Sequence, residues 1–462
     1  LKASTDIQTT KTGTRNGGLA GKAAGTGKGA FKLKGLRWYI ISLIGLATII
    51  NYIDRGAINF MWPYIYKDFG IADGDSKNAL ALITTFFMVA YAIGQTVTGK
   101  MMDAIGTRLG MAVSIIGWSI SIALHALARS ILSFNIFRFL LGISEAGNWP
   151  GATKSNAEWF PPKERAIAQG IFGAGASLGS VVAAPVIAGL FLAFGWKTTF
   201  VVIAVLGFLW IIPWLLINKN TPDKHPWITR EEQDYIQQGN AAAEAARTTA
   251  TTVYTWRQLL QFKNTWGIIS SRFFIDPVWW LFVTWLPTFL KEQYQFDMKQ
   301  IGAFAWVPYL FAAIGGLMGG FFSSSKIKKG IAAPKARKQA ITIGSIIMLV
   351  SLTLIAFYLD HLKEQVNVAI ALISATLFGF QFLINNIQTL PGDYFHGKNV
   401  GTVAGMGGTS AVLGTLITTW IVPVITQTSY TSFFILGALM VPLAWICITF
   451  ITAKPNQSFT NK

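Results

Sequence analysis

Cysteine is almost missing from this sequence: Cys447, in a late apolar run, is the only one in 462 residues. A single thiol excludes a disulfide framework and a cysteine-ligated metal. Histidine is nearly as scarce, and His125, His225, His361 and His396 lack metal-ligand spacing. Charge is thin at 13% of residues, with 20 acids against 38 bases. Nor is there a phosphate loop: Gly25-Thr-Gly-Lys28 has no glycine five residues before Gly27, no hydroxyl residue after Lys28 and no preceding strand. With no Ser/His/Asp set either, no catalytic residues, metal or cofactor are expected, and the chain does not read as an enzyme. The basic excess does not indicate nucleic acid, because Lys and Arg fall between long apolar runs and form no soluble basic face.

What the sequence has is hydrophobic residue, 52% of the chain, with a mean hydropathy of +0.46, a composition suited to membrane lipid. A bilayer core takes about 20 apolar residues per helix. Runs of that kind lie near 37–63, 78–101, 108–127, 130–153, 165–193 and 196–217, then near 265–291, 299–324, 338–359, 366–390, 399–426 and 429–452. The expected fold is therefore an all-α membrane protein of twelve transmembrane helices, arranged as two pseudo-symmetric six-helix bundles over 37–217 and 265–452. Residues 1–36, rich in Gly, Ala, Thr and Lys and without a signal-peptide core, read as a disordered basic tail. Residues 218–264 read as a polar linker with one amphipathic helix, and 453–462 as a second tail. Counting Lys and Arg by loop puts 28 on the side of the termini and seven on the other. The positive-inside rule makes both termini cytoplasmic and the protein multi-pass.

Charges inside spans carry the functional information, since each costs about 2.5–3.5 kcal/mol at a helix centre. Asp54 and Arg55 lie in the first span, Arg138 and Glu145 in the fourth, Arg272 and Asp276 in the seventh. Six such groups facing lipid would cost on the order of 15–20 kcal/mol, so a wet, protein-lined interior is required. Arg138 and Glu145 are two turns apart on one helix face, while Arg272 and Asp276 can pair directly. Three carboxylates balance three guanidiniums, so an anion that claims an arginine leaves a carboxylate easier to protonate. That is a physical route to proton-coupled anion transport. Fixed salt bridges between helices are the plainer alternative, and for Arg272, near the cytoplasmic start of its helix, snorkelling serves equally well.

Along the tenth span Gln381, Asn385 and Gln388 form a polar stripe, with Asn386 beside it. Such groups suit the hydroxyls of a sugar acid, or ordinary interhelical hydrogen bonds. Trp279 and Trp280 follow Asp276 by one turn, where an aromatic face can lie against a sugar ring. Glycines gather in the fifth span (Gly170, Gly173, Gly175, Gly179) and the eleventh (Gly401, Gly405, Gly407, Gly408), where helices touch and slide.

Gly99-Lys-Met-Met-Asp103-Ala-Ile-Gly106-Thr-Arg108 resembles the loop signature of the major facilitator superfamily between spans two and three. The resemblance implies that Gly99, Asp103 and Arg108 form a conformational latch. The basic residue usual after the acid is Ala104 here, and the counterpart after span eight, Gly320-Phe-Phe-Ser-Ser324, has no acid. Asn51-Tyr52-Ile-Asp54-Arg55 and Phe137-Arg138-Phe-Leu-Leu-Gly142-Ile-Ser-Glu145-Ala-Gly-Asn148-Trp-Pro150 are similar to the anion:cation symporter family. Ser271-Arg-Phe-Phe-Ile-Asp276-Pro-Val-Trp-Trp280 and Leu390-Pro-Gly-Asp393-Tyr-Phe resemble its hexuronate transporter branch. The resemblance implies proton-handling roles for Asp54 and Glu145 with Arg138 as partner, substrate-carboxylate contacts for Arg55 and Tyr52, and a cavity position for Tyr91. Relative to galactonate transporters, Ala176, Gly408 and Gln388 replace a glutamine, an asparagine and a tryptophan, so the hydroxyl-reading pocket is rebuilt.

The expectation is a monomeric, proton-coupled symporter of hexuronate-like sugar acids in a bacterial-type inner membrane, working by alternating access. Its partners are an anionic small molecule, protons and membrane lipid. Proton coupling rests on Asp54, Glu145 and Arg138; substrate binding on Tyr52, Arg55, Tyr91, Arg272, Asp276, Trp280, Asn385 and Gln388. An organic-anion or organic-phosphate exchanger is the alternative, and a membrane receptor a more distant one.

Overall fold

The computed structural model describes residues 32–161, 164–247, 254–395, 398–427 and 429–452. Most of the tail expected over 1–36, and all of 453–462, lie outside them. The described first half contains α1 (Leu36–Ile65), α2 (Ser76–His125), α3 (Ile131–Glu145), α4 (Asn148–Trp159) and α5 (Arg165–Ile217). After α6 (Arg230–Arg247) and the single turn α7 (Trp256–Leu259) come α8 (Lys263–Tyr294), α9 (Met298–Phe304), α10 (Val307–Lys328) and α11 (Ala333–Tyr358). The chain closes with α12 (Val366–Tyr394), α13 (Lys398–Ile425) and α14 (Thr431–Ile446).

Ten stretches among the described residues are long and apolar enough to cross a bilayer. Two features raise the crossings to twelve. The stretch Ala168–Ile217 has 50 residues, about 75 Å of helix at ~1.5 Å per residue, more than twice a ~30 Å hydrocarbon core. Gly195, at φ 75°, breaks it into two crossings, as Gly106 at φ 77° breaks α2; only glycine takes such angles freely. Conversely α3 and α4, of 15 and 12 residues, are each too short and cross together. Pro150 separates them: it has no N–H to bond the carbonyl of Ala146, so the helix stops at Glu145 and restarts at Asn148. The fold is the all-α arrangement of two six-helix bundles.

The halves repeat one packing plan. In the first, α1 lies along α5 and α2 along α3; in the second, α8 lies along α13 and α10 along α12. The repeated close pairs depend on glycine. A Cβ on Gly142 of α3 would stand 2.4 Å from the Phe87 carbonyl oxygen, and one on Gly315 of α10 would stand 2.2 Å from that of Phe378. Gly175 and Gly179 meet α1 in the same way, whereas Gly170, Gly173 and Gly405 have open space beside them.

The linker is tied to the first half. Glu232 of α6 accepts the backbone N–H groups of Gly35, Leu36 and Arg37 and so caps α1 from outside, and Arg37 bridges Glu232 and Glu164. Uncapped helix donors next to a carboxylate are a favourable charge arrangement.

Several hydrogen bonds and ion pairs join the halves toward the membrane face away from the described chain ends. Asn59 donates to Val283 O (3.2 Å) and Tyr64 to Phe296 O (2.8 Å). Lys291 donates to Pro63 O, and Lys77 pairs with Glu292 at 2.7 Å. Tyr430 donates to the same Glu292 at 2.7 Å.

Candidate functional site

The buried charges of the first half converge. Asp54, Arg55, Arg138 and Glu145 are all at most 5% exposed. Arg55 of α1 donates from Nε (3.2 Å) and Nη2 (3.0 Å) to Oε2 of Glu145 on α3, and Nη2 also reaches Asn51 Oδ1 at 3.4 Å. Arg138 does not pair with Glu145, its neighbour along the helix. Its Nη2 donates to the backbone carbonyl of Arg55 at 3.3 Å, while Nε and Nη1 have no hydrogen-bond partner among the described residues. Asp54 Oδ1 and Glu145 Oε1 are also without one. Both carboxylates lie within charge–charge range of both arginines, so the four groups form one nearly neutral cluster.

Aromatic rings enclose Arg55. Its guanidinium carbon lies 5.3 Å from the ring centre of Tyr52, 5.1 Å from Phe87, 4.8 Å from Tyr91 and 5.8 Å from Trp280. Phe87 also lies 5.2 Å from Arg138, so one ring serves both cations. Such contacts hold a delocalised cation in place without neutralising it. Trp280 comes from α8, so the cage spans both halves. A cavity of about 20 Å³ opens beside Arg55, bordered by Tyr52, Ser180, Val283 and Tyr309.

Other expected site residues stand apart. Arg272 and Asp276 form a two-pronged ion pair on α8 (3.1 and 2.9 Å). Along that helix Asp276 lies one turn, ~6 Å, and Arg272 two turns, ~12 Å, before Trp280. Arg272 rests against α13 where Gly407 and Gly408 leave room for it. Asn385 and Gln388 are exposed on α12 and make no hydrogen bond, ion pair or ring contact with Arg55 among the described residues. Asn386 is buried and structural, donating to the carbonyls of Gly319 and Phe382. Trp279, unlike Trp280, stacks within its own half on Phe380, 5.4 Å away. Of the residues expected to form a latch, Arg108 donates to Leu215 O at 3.3 Å and its carbonyl accepts from Trp214 Nε1 at 2.9 Å. The side chain of Asp103 lies outside the described residues, and Gly99 has open space.

Phe87 and Tyr309 escaped sequence reading, because an aromatic residue in an apolar run looks like core. Asn51 carried a signal: a polar residue one turn before Arg55, in the same motif.

The family model described as Major Facilitator Superfamily matches residues 44–405. The chain belongs to the major facilitator superfamily. As a superfamily member it is a multi-pass membrane transporter and not an enzyme. It is 32% identical over 399 residues to the hexuronate transporter of Escherichia coli K12, covering 86% of this chain and 89% of that one. It is 34% identical over 322 residues to the galacturonate transporter of Dickeya chrysanthemi, covering 69% and 91%. These similarities carry the hexuronate-branch resemblance through most of the chain. Among solved structures it is similar to a D-xylose-proton symporter (TM-score 0.70, 13% identity, 90% of this chain and 98% of that one). A bacterial homologue of the human lysosomal transporter Spinster, inward-facing and unoccupied, superposes with TM-score 0.67 at 17% identity, covering 91% and 97%. These two likenesses concern the superfamily fold.

Proposed function

We propose that this protein carries hexuronate-like sugar acids together with protons across a bacterial-type inner membrane by alternating access. The observation that carries the reading is that Arg55, in a cage built by both halves, is held by one carboxylate, Glu145. A substrate carboxylate and Glu145 compete for the same donors. If the substrate takes Arg55 while Glu145 stays ionised, the buried cluster gains an uncompensated negative charge, a state costing several kcal/mol. A proton on Glu145 removes that cost, so anion and proton enter together. Asp54 is a second carboxylate within range to share the proton, with Arg138 as its counter-charge.

In this reading Tyr52, Tyr91 and Trp280 frame the docked acid. Arg272 with Asp276, and Asn385 with Gln388, line its path toward the side of the chain ends. The bodies that rock are 37–217 and 265–452, joined by 218–264, and the contacts of Tyr64, Lys77 and Lys291 must break when the opposite side opens. The weight of Lys and Arg on the side of the termini supports cytoplasmic chain ends. One chain supplies both halves and both gates, so a monomer suffices. Gly99, Asp103 and Arg108 act as the latch of the first half. An exchanger needs no carboxylate on its anion-binding arginine, which favours the symport reading.

The test is uptake of labelled glucuronate and galacturonate into proteoliposomes. Accumulation driven by an imposed pH gradient and abolished by a protonophore is expected. Uptake only against a preloaded internal anion, or none of either sugar acid, contradicts the proposal.

A further inference from the structure

The second-half segment Gly320–Ser324 lacks the acid of its first-half counterpart and serves no part of the site described above. Its environment is distinctive. Gly315 and Gly319 bring α10 so close to α12 that a Cβ on either would stand 2.2 Å from a backbone oxygen. On the outer surface this leaves a groove of about 380 Å³, walled by Leu317, Met318, Phe321 and Phe382. Leu317 is 76% exposed and Phe321 77%. Lys326 and Lys329 border the same groove. The Lys326 ammonium sits 5.6 Å from the Phe322 ring, so its stem runs along apolar surface while its head reaches the rim.

Acidic partners for these lysines are scarce nearby in the sequence. Between Asp297 and Asp360 the sequence contains no acid, yet six Lys and Arg lie within 326–338. Arg337 pairs with Asp393, and Lys338 donates to the carbonyls of Thr449 and Thr452. No salt bridge engages Lys326, Lys328 or Lys329 among the described residues. An apolar trough ending in ammonium groups that have no salt bridge among the described residues, where a helix leaves the membrane, matches an amphiphile with an anionic head.

We propose that the groove between α10 and α12 binds an anionic glycerophospholipid, an acyl chain lying along Leu317, Phe321 and Phe382 and the phosphate head at Lys326 and Lys329. A zwitterionic lipid fills the trough equally well but brings no net charge to the lysines. The test is native mass spectrometry of the full chain in detergent, supplied with phosphatidylglycerol or with phosphatidylcholine of matched chains. Phosphatidylglycerol should be retained at least about tenfold better. Lys326→Gln with Lys329→Gln should reduce its retention on the order of thirty-fold, from ~1 kcal/mol per basic residue near an anionic surface. Met318→Trp, which fills the trough and spares both lysines, should also weaken retention, and glycerol 3-phosphate should not compete. Equal retention of the two lipids, unchanged retention in the lysine variant, or displacement by glycerol 3-phosphate would overturn the proposal.

Discussion

Two nitrogens of Arg55, Nε and Nη2, converge on a single oxygen of Glu145, 90 residues away, and the other oxygen of that carboxylate has no hydrogen-bond partner among the described residues. The bond is therefore strong in charge and incomplete in geometry. A carboxylate arriving with two free oxygens can satisfy the guanidinium edge more fully than Glu145 does, which makes the pair suited to exchange partners during transport.

Trp280 and Trp279 are adjacent, and their variants should separate binding from stability. Trp280→Ala removes a ring that reaches Arg55 from the other half, and substrate KM should rise roughly two- to thirty-fold for a contact of ~0.5–2 kcal/mol, with Tm little changed. Trp279→Ala removes a stack on Phe380 and should lower Tm more than it alters KM. Uptake kinetics alongside thermal melting check both, and a reversed pattern refutes the assignment.

Gly142 fixes the distance between α3 and α2. A methyl there would meet the Phe87 carbonyl oxygen at 2.4 Å, and backbone yields poorly. Gly142→Ala should cost roughly 1–3 kcal/mol as over-packing and disturb the Phe87 ring that meets both Arg55 and Arg138. Gly170→Ala, where nothing stands within 4 Å, should leave Tm and transport near wild type. Comparing the two melting curves tests whether packing explains the difference.

The Lys77–Glu292 pair belongs to a network, since Lys77 also donates to Thr426 and Tyr430 donates to Glu292. An exposed pair alone contributes little, ~0–1 kcal/mol, but this one joins the halves. Glu292→Gln should therefore raise the population open on that side a few-fold. A cysteine at the buried cavity position Ser180 reports it, through faster labelling by an impermeant maleimide. No change in labelling would mean that the other contacts between the halves, among them those of Asn59, Tyr64 and Lys291, suffice to hold the gate.

The linker should be pH-sensitive. Burial holds His225 below the ordinary imidazole value of 6.5, and Lys219 and Lys32 add to the effect. Its Nδ1 accepts from the Trp227 N–H at 3.1 Å, and Nε2 meets Ile217 O at 2.8 Å. A neutral ring with its proton on Nε2 satisfies both. Protonation is thus easier in the undocked linker, so this contribution is fully present above pH ~6.5 and is lost as pH falls below it. Limited proteolysis within 219–230 should accelerate between pH 7.5 and 5.5. In His225→Gln the acceleration should shrink, and an identical pH response in that variant counts against the assignment.

Much of this was readable from residue order, within definable limits. Asp54, Arg55, Arg138 and Glu145 stood out because ions in apolar runs need a common interior, and they do meet. Their pairing did not follow. Spacing along one helix suggests Arg138 with Glu145, but lateral distance is set by how α1 packs on its neighbours, and Arg55 arrives first. Hydropathy located the crossings, yet the break after Glu145 is a backbone effect of Pro150 that a hydropathy profile does not register. Asn385 and Gln388 read as ligands because they are polar and share a stripe. In the structure both are exposed and make no contact with Arg55 among the described residues, because a stripe fixes a helix face and not its distance from a residue on another helix.

The most direct test of the account is Glu145→Gln in proteoliposomes. The neutral amide imitates the protonated carboxyl and cannot release a proton. Exchange of labelled for unlabelled substrate should persist at near wild-type rate, while accumulation driven by a pH gradient should disappear. Gradient-driven accumulation that survives intact in Glu145→Gln would contradict the coupling of Arg55, Glu145 and the transported anion.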